Sequence, residues 1–439
     1  MADEKQLWGD RADEMVYGKV PWGTEAIDWQ ERVNMPRMRE ERAARVRAKM
    51  KEHGFAVLFL GEGDNRRYAT GIHAGILATR IAGGAGYTIA FADYPTADMV
   101  DYHLDGALTI QARRHSPWIK SENIKTACSL AGTQGPDVVK DHAKVQAKMM
   151  IQDLKDKGLE KERVAYDAMH PALIANLESE GIKLVQDSFI LIEARMIKTV
   201  DEVNCLRMGG VNCDTAWGVL FENLRPGVVE RDLGALMAAA IFRRQQATAP
   251  IISLRSGPNT GPNWASHSPQ DRVVEAGDIV IADLINCGYS GYGTCYYRTF
   301  KCGLRPTEKE KDWYKQCREW LYSAAEELKP GKTTADVSRK FPTCDVWGYS
   351  EEYECPIHAL GHGHGITGHE YPWIGRSCSI DHPLPIYKGM TLAMETWMGD
   401  NRTGGVRIEN VGVVTDDGWE NLYAWPDEQI TVPMHQLIW

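Results

Sequence analysis

The chain has 439 residues, 43% hydrophobic and 25% charged, with a formal net charge of -10. That length suits two domains of roughly 150 to 250 residues each, and no apolar run approaches the about 20 residues of a membrane span. A negative balance without a basic cluster excludes a nucleic-acid or membrane-surface partner, because phosphate binding needs concentrated Lys and Arg.

The opening "MADEKQLWGD" has neither the basic start nor the apolar core of a signal peptide, so the cytoplasm is the expected location. Ten cysteines occur without a CxxC pair, the usage of buried thiols rather than of a zinc ribbon or disulfide framework. In "MREERAARVRAKMK" the alternating charges form the solvated face of a helix.

Met, Ala, Val and Met at three-to-four spacing predict a helix from Met38 to His53, stopped by Gly54. "FAVLFLG" follows as a strand of a sheet covered on both faces. The pattern recurs in the helix "DVVKDHAKVQAKMMIQDLKDKG", the strand "RVAYD", a short helix and the strand "IKLVQD", so this half is α/β. After Ile190 come long helices (Asp201 to Asn223, Arg231 to Gln245), hairpin strands from Ile251 to Gly303, and a helix from Glu308 to Leu328. Strand and turn text fills Ala359 to Leu422, and the whole later half reads as α+β. Within it, "GYSGYGTCYYRTF", Gly288 to Phe300, predicts strand, tight turn and returning strand.

Four segments carry acids and histidines in apolar text. Asp283 lies inside "GDIVIADLINCGYSGYG", His362, His364 and His369 inside "LGHGHGITGHE", Glu395 inside "GMTLAMETWMG" and Glu409 inside "GGVRIENVGVV". Acids in such strands are expensive to bury unpaired. Oxygen ligands with one imidazole suit Mn, Fe, Co or Zn, and there is no HExxH helix of a zincin. The alternative for one or two of these acids is a partner in Arg298 or Arg407.

In this order, with "DDGWENL" behind them, the motifs resemble the pita-bread family of methionine aminopeptidase, Xaa-Pro aminopeptidase, prolidase, creatinase and a dimethylsulfoniopropionate lyase. The resemblance covers about residues 195 to 425, and "DNRRYATG" is similar to the smaller domain of the prolidase and creatinase branch. It implies an α+β fold: a C-terminal pita-bread catalytic domain, 191–439, preceded by a smaller α/β creatinase/prolidase N-terminal-like domain, 1–190.

In the peptidases of that family two Asp, one His and two Glu hold two metals. The resemblance carries these ligands onto Asp283, His362, Glu395 and Glu409, while the second, bridging Asp falls on Cys295. It therefore implies an altered centre with one divalent metal (Fe, Mn, Zn or Co) or none, in which Cys295 is either a thiolate ligand or a filler.

Creatinase works without metal, and its catalytic His segment is similar to "SGPNTGPNWASH", which places a general base at His267. The same branch implies carboxylate grips at Arg376, in "HEYPWIGR", and at Arg80 of a neighbouring subunit, in "ATGIHAGILATR". Tyr297 and Trp397 are candidate substrate contacts, beside Tyr296, Trp264 and Trp373. The implied catalytic set is His267, His362, His369, Glu395 and Glu409.

The expected activity is that of a creatinase-like hydrolase opening a C-N bond in a small carboxylate-bearing zwitterion by acid-base chemistry. Its alternatives are a sulfoniopropionate-type C-S lyase releasing an acrylate-like product, and a metal-dependent Xaa-Pro aminopeptidase or dipeptidase. A homodimer, each N-terminal domain completing the other's site, is the expected assembly.

Overall fold

A computed structural model of the protein describes residues 33–72, 86–244, 250–262, 268–355, 360–400 and 402–437. They fall into two compact units, Asn34–Arg195 and the chain from Met196 onward.

The first unit opens with α1, Met35–Glu52, which begins three residues earlier than its apolar spacing predicts. Asn34 explains the start, since its side chain accepts from the Arg37 N–H while a proline occupies the first turn. Then come β1 (Val57–Leu60), α2 (Gly63–Thr70), β2 (Gly86–Phe91), β3 (Val100–His103), α3 (Gly106–His115) and β4 (Ile124–Thr126). After them follow α4 (Pro136–Lys155), β5 (Arg163–Tyr166), α5 (Pro171–Ser179), β6 (Lys183–Gln186) and α6 (Phe189–Met196). The strands form one sheet in the order β4-β3-β2-β1-β5-β6. It is mixed: β1 runs parallel to β5 and antiparallel to β2. All four residues of β1 are buried, as its unbroken apolar text predicts for a central strand.

The second unit starts with α7 (Val200–Asn223), fixed by a reciprocal capping box between Thr199 and Glu202. α8 (Glu230–Phe242) leads to the antiparallel sheet of β7 (Ile251–Ser256), β8 (Ile279–Ile285) and β9 (Tyr297–Lys301). α9 (Glu308–Ala325) and α10 (Thr334–Ser338) precede β10 (Gly361–Gly363), β11 (Glu370–Ile374), α11 (Arg376–Ser379), β12 (Thr391–Asp400), β13 (Gly404–Val414) and β14 (Trp419–Asn421). These later strands form a second sheet, ordered β11-β10-β12-β13-β14. α9 packs across β12 and β13. No helix among the described residues is long and apolar enough to cross a membrane.

The two sheets of this unit are tied edge to edge. The Thr299 hydroxyl of β9 donates to the Arg407 carbonyl (2.6 Å) and accepts from the Arg407 N–H (2.9 Å). One residue earlier, Arg298 donates to the Glu409 carbonyl (2.6 Å), the Asn410 side chain (2.7 Å) and the Trp425 carbonyl (3.0 Å). Arg298 therefore joins β9 to β13 through uncharged oxygens.

The segment from Gly288 to Phe300 makes the predicted tight turn, with a shorter strand after it. Tyr289 and Tyr292 exchange two backbone hydrogen bonds of 3.0 Å, with Ser290 (φ 52) and Gly291 (φ 89) between them. Two positive φ angles at the tip are what a two-residue hairpin turn requires. The ladder to β8 resumes only at Tyr297. Before it, backbone bonds from Asn286 N–H to the Thr294 carbonyl (2.8 Å) and from Leu284 N–H to the Tyr296 carbonyl (3.3 Å) are joined by the Thr294 hydroxyl, which donates to the Leu284 carbonyl (2.7 Å) and accepts from the Cys287 N–H (2.9 Å). α7 braces this loop from outside: Asn212 donates to the Gly288 carbonyl (3.2 Å), and Glu202 accepts from the Tyr292 hydroxyl (2.8 Å).

Candidate metal centre

Asp283 sits in β8 at 1% exposure. Its Oδ1 accepts from the Tyr296 backbone N–H at 2.9 Å, while its buried Oδ2 has no hydrogen-bond partner. His362 is on β10 and fully buried. Its Nδ1 faces the Gly363 carbonyl at 2.8 Å. A carbonyl only accepts, so Nδ1 carries the proton and Nε2 keeps a bare lone pair. That Nε2 lies 3.7 Å from Glu409 Oε1 and has no hydrogen-bond partner; the Glu409 oxygens make no hydrogen bond of good geometry, with only the Cys295 thiol and the Tyr297 N–H near enough to favour the carboxylate.

Glu395 and Glu409 belong to β12 and β13, and the strand register sets them directly opposite each other. Glu395 is ion-paired with Arg407, both side chains being 2% exposed. The Arg407 guanidinium also lies over the Tyr297 ring, 4.2 Å from its centroid. The sequence pattern left open whether an arginine pairs with one of these acids; Arg407 does, with Glu395, two residues before Glu409 on the same face of its strand.

Cys295 joins these groups. Its sulfur lies within 4.8 Å of ligand atoms of Asp283 and Glu409, and likewise of His362 and His369; His362, Glu395 and Glu409 form a third such group. The residues thus fit a divalent cation: buried carboxylate oxygens, an imidazole nitrogen and a sulfur converge with their lone pairs unspent. The electrostatics agree. Burial, then the Glu409 charge, pushes the Asp283 carboxyl well up, and burial, then Glu395, does the same to Glu409. Burial and the neighbouring acids raise the Cys295 thiol, and burial lowers the His362 imidazole. Such shifts mark a dry pocket in which the acids outnumber the one nearby guanidinium, Arg407.

His369 stands at the rim, exposed, its ring 4.2 Å from that of His362. Trp373, 36% exposed, stacks at 25° on His362 with centroids 5.9 Å apart and lies 5.7 Å from His369. His364 faces away from this group, between the carbonyls of Gly293 (2.9 Å) and Gly368 (3.0 Å). Burial pushes its pKa down while the two carbonyls, which only accept, pull it up; the contact with Gly293 joins the histidine loop to the loop of Cys295.

Other candidates are placed differently. The guanidinium of Arg376 bonds Glu352 at 2.8 Å and the carbonyls of Phe341 (3.4 Å) and Ser338 (3.5 Å). Trp397 is buried and donates its indole N–H to the Thr260 carbonyl at 2.8 Å. Tyr297 is buried beneath Arg407. His267, Arg80 and Trp264 lie outside the described residues. The sequence reading missed the buried pair of Lys198 and Glu370, 2.8 Å apart, which anchors the residues beside His369. No local pattern announces it, because its partners are 172 positions apart.

The model of metallopeptidase family M24 matches residues 204–416. The Xaa-Pro dipeptidase of Lactobacillus delbrueckii subsp. lactis is 30% identical over 296 residues, covering 66% of this chain and 76% of that protein. The dimethylsulfoniopropionate lyase DddP of Roseovarius nubinhibens is 26% identical over 275 residues, 60% of each chain. Among solved structures, the dipeptidase PepE from Mycobacterium ulcerans superposes with a TM-score of 0.67 at 24% identity, over 91% of this chain and 99% of that one. The fold is accordingly the expected one, a pita-bread domain preceded by a smaller α/β domain.

Proposed function

This chain belongs to metallopeptidase family M24, and we propose that it is a metal-dependent hydrolase opening the C-N bond of a small, dipeptide-sized amide. The observation that carries this reading is the convergence of bare, buried donors on Asp283, His362 and Glu409. A cation held there would polarise the amide carbonyl and supply hydroxide at neutral pH.

The chain's own residues have separable tasks. The Tyr296 N–H and the Gly363 carbonyl aim the free lone pairs of Asp283 and His362 inward. Arg407 pairs with Glu395 and so leaves Glu409 as the acid without an arginine partner. His369, at the rim, can pass a proton to the departing amine. Trp373 beside it offers an aromatic wall to the substrate.

Names of relatives add support, since the similar Lactobacillus protein is an Xaa-Pro dipeptidase. The metal-free, creatinase-like reading ranks behind, because four buried donor atoms would then stay unsatisfied. A C-S lyase is the second reading, favoured by the relative that carries that name. The homodimer, with Arg80 reaching a neighbour's site, is also proposed; light scattering on the eluted protein measures it.

The test is a product screen by mass spectrometry. Protein reconstituted with Mn, Fe, Co or Zn is offered Xaa-Pro and other dipeptides, small lactams and amidines, and sulfonium carboxylates. Dipeptide hydrolysis that chelator abolishes is the expected result. An acrylate-type product would move the assignment to the lyase, and turnover of a zwitterion that survives chelation would move it to the creatinase type.

A further inference from the structure

We propose that Cys295 is itself a ligand of the centre, giving it a sulfur donor and a preference for thiophilic divalent ions (zinc, cobalt and ferrous iron) over manganese. The inference rests on the metal-dependent reading above and specifies which ion that centre is built to hold.

Three observations carry it. Whatever cation satisfies Asp283 Oδ2, His362 Nε2 and the two Glu409 oxygens must lie among those atoms. The Cys295 sulfur is within 4.8 Å of a ligand atom of each of the three residues, with His362 in one group and Asp283 and Glu409 in another. Its backbone is also pinned on both flanks, by the Thr294 hydroxyl to Leu284 (2.7 Å) and by the Tyr296 N–H to Asp283 (2.9 Å). A small side chain present only to fill volume has no need of such aiming.

Thiolate favours soft and borderline ions, imidazole suits zinc and iron, and carboxylates alone suit manganese and magnesium. Replacing a carboxylate by sulfur therefore moves the donor set toward zinc, cobalt and ferrous iron. Ligation would break the Cys295 S–H bond and form a sulfur–metal bond in place of a bound water, the proton leaving to solvent with no change of oxidation state. Zinc outbinds manganese at almost any such site, so a bare preference proves nothing. The change on substitution does.

Full-length protein is stripped with chelator and titrated with cobalt(II). The expected result is a sulfur-to-cobalt charge-transfer band in the near ultraviolet, absent in Cys295→Ser. In competition, the zinc-over-manganese ratio should fall in Cys295→Asp, as a thiolate gives way to a carboxylate. If both variants misfold, X-ray absorption at the zinc edge of the wild-type protein decides alone, with a sulfur neighbour expected at about 2.3 Å. Cobalt or zinc bound without a sulfur signature overturns the inference and leaves the metal-dependent reading standing. Failure of the wild-type protein to bind either ion removes both.

Discussion

Glu395 and Glu409 face each other across β12 and β13, two acids in directly opposed register at the buried centre of a sheet. Like charges so placed repel, and Arg407 offsets the repulsion by pairing with one of them while leaving the other bare. The sheet thus sorts two chemically similar acids into different environments.

Removing Arg407 should therefore be costly. Arg407→Met leaves Glu395 buried and unpaired, a loss of about 3 to 5 kcal/mol in the metal-free protein. Urea unfolding of the single variant and of Arg407→Met/Glu395→Gln measures it, the double variant recovering part of the loss. Equal stability of wild type and Arg407→Met would show that the pair contributes nothing.

Two glycines of one helix should respond oppositely to the same change. A Cβ at Gly209 would meet Thr294 Cγ2 at 2.9 Å and Gly288 Cα at 3.3 Å, whereas one at Gly218 meets nothing within 4 Å. Gly218→Ala gains up to about 1 kcal/mol of helix propensity. Gly209→Ala forfeits that gain to overpacking, which costs about 1 to 3 kcal/mol, and pushes the loop of Cys295 away from Asp283. Thermal unfolding and metal affinity should fall together in Gly209→Ala alone; weakened affinity in both variants would refute the bracing role of α7.

In the first unit, burial pushes the Asp101 carboxyl up, but Arg66 at 3.0 Å and His103 outweigh it and bring the pKa down to about 2. A carboxyl depressed on folding adds stability above its unfolded pKa of about 3.9 and loses it as pH falls toward the folded value. The contribution is on the order of 2 kcal/mol, present at neutral pH and lost between about pH 4 and pH 2. The stability gap between wild type and Asp101→Asn should close across that window; a gap independent of pH would mean that the charge of Asp101 is not what stabilises.

Trp373 is the aromatic residue stacked on His362 that keeps an exposed face. Trp373→Ala should raise KM roughly 2- to 30-fold, from the about 0.5 to 2 kcal/mol of an aromatic-face contact, with kcat nearly unchanged. Trp373→Phe should retain most of the affinity. Loss confined to kcat would place the residue in the chemical step instead.

What was legible in the sequence was periodic or local. The helices beginning at Val200 and Glu308 were read to within one residue of their starts, and the acids of β8, β12 and β13 stood out because apolar strands seldom carry them. The family resemblance named Asp283, Cys295, His362, Glu395 and Glu409, and in the structure they fall in overlapping groups of three whose ligand atoms lie within 4.8 Å of one another. What stayed hidden depends on partners distant in the chain: which acid Arg407 takes, the pairing of Lys198 with Glu370, and the closeness of Gly209 to Thr294. The antiparallel placement of β2 beside β1 was equally unreadable, since an unbroken apolar run reports burial and not direction.

The orientation of His362 rests on the carbonyl of its own neighbour, Gly363, and every residue has a carbonyl. A replacement at 363 keeps a carbonyl but moves it, since a Cβ there would meet the Tyr371 carbonyl at 2.3 Å. The aim of the imidazole therefore depends on a neighbour that has no side chain, whereas the Cys295 loop is held by the Thr294 hydroxyl and the Asp283 carboxylate. Substituting Gly363 would turn His362 without touching it, and substituting Thr294 would loosen Cys295 in the same indirect way.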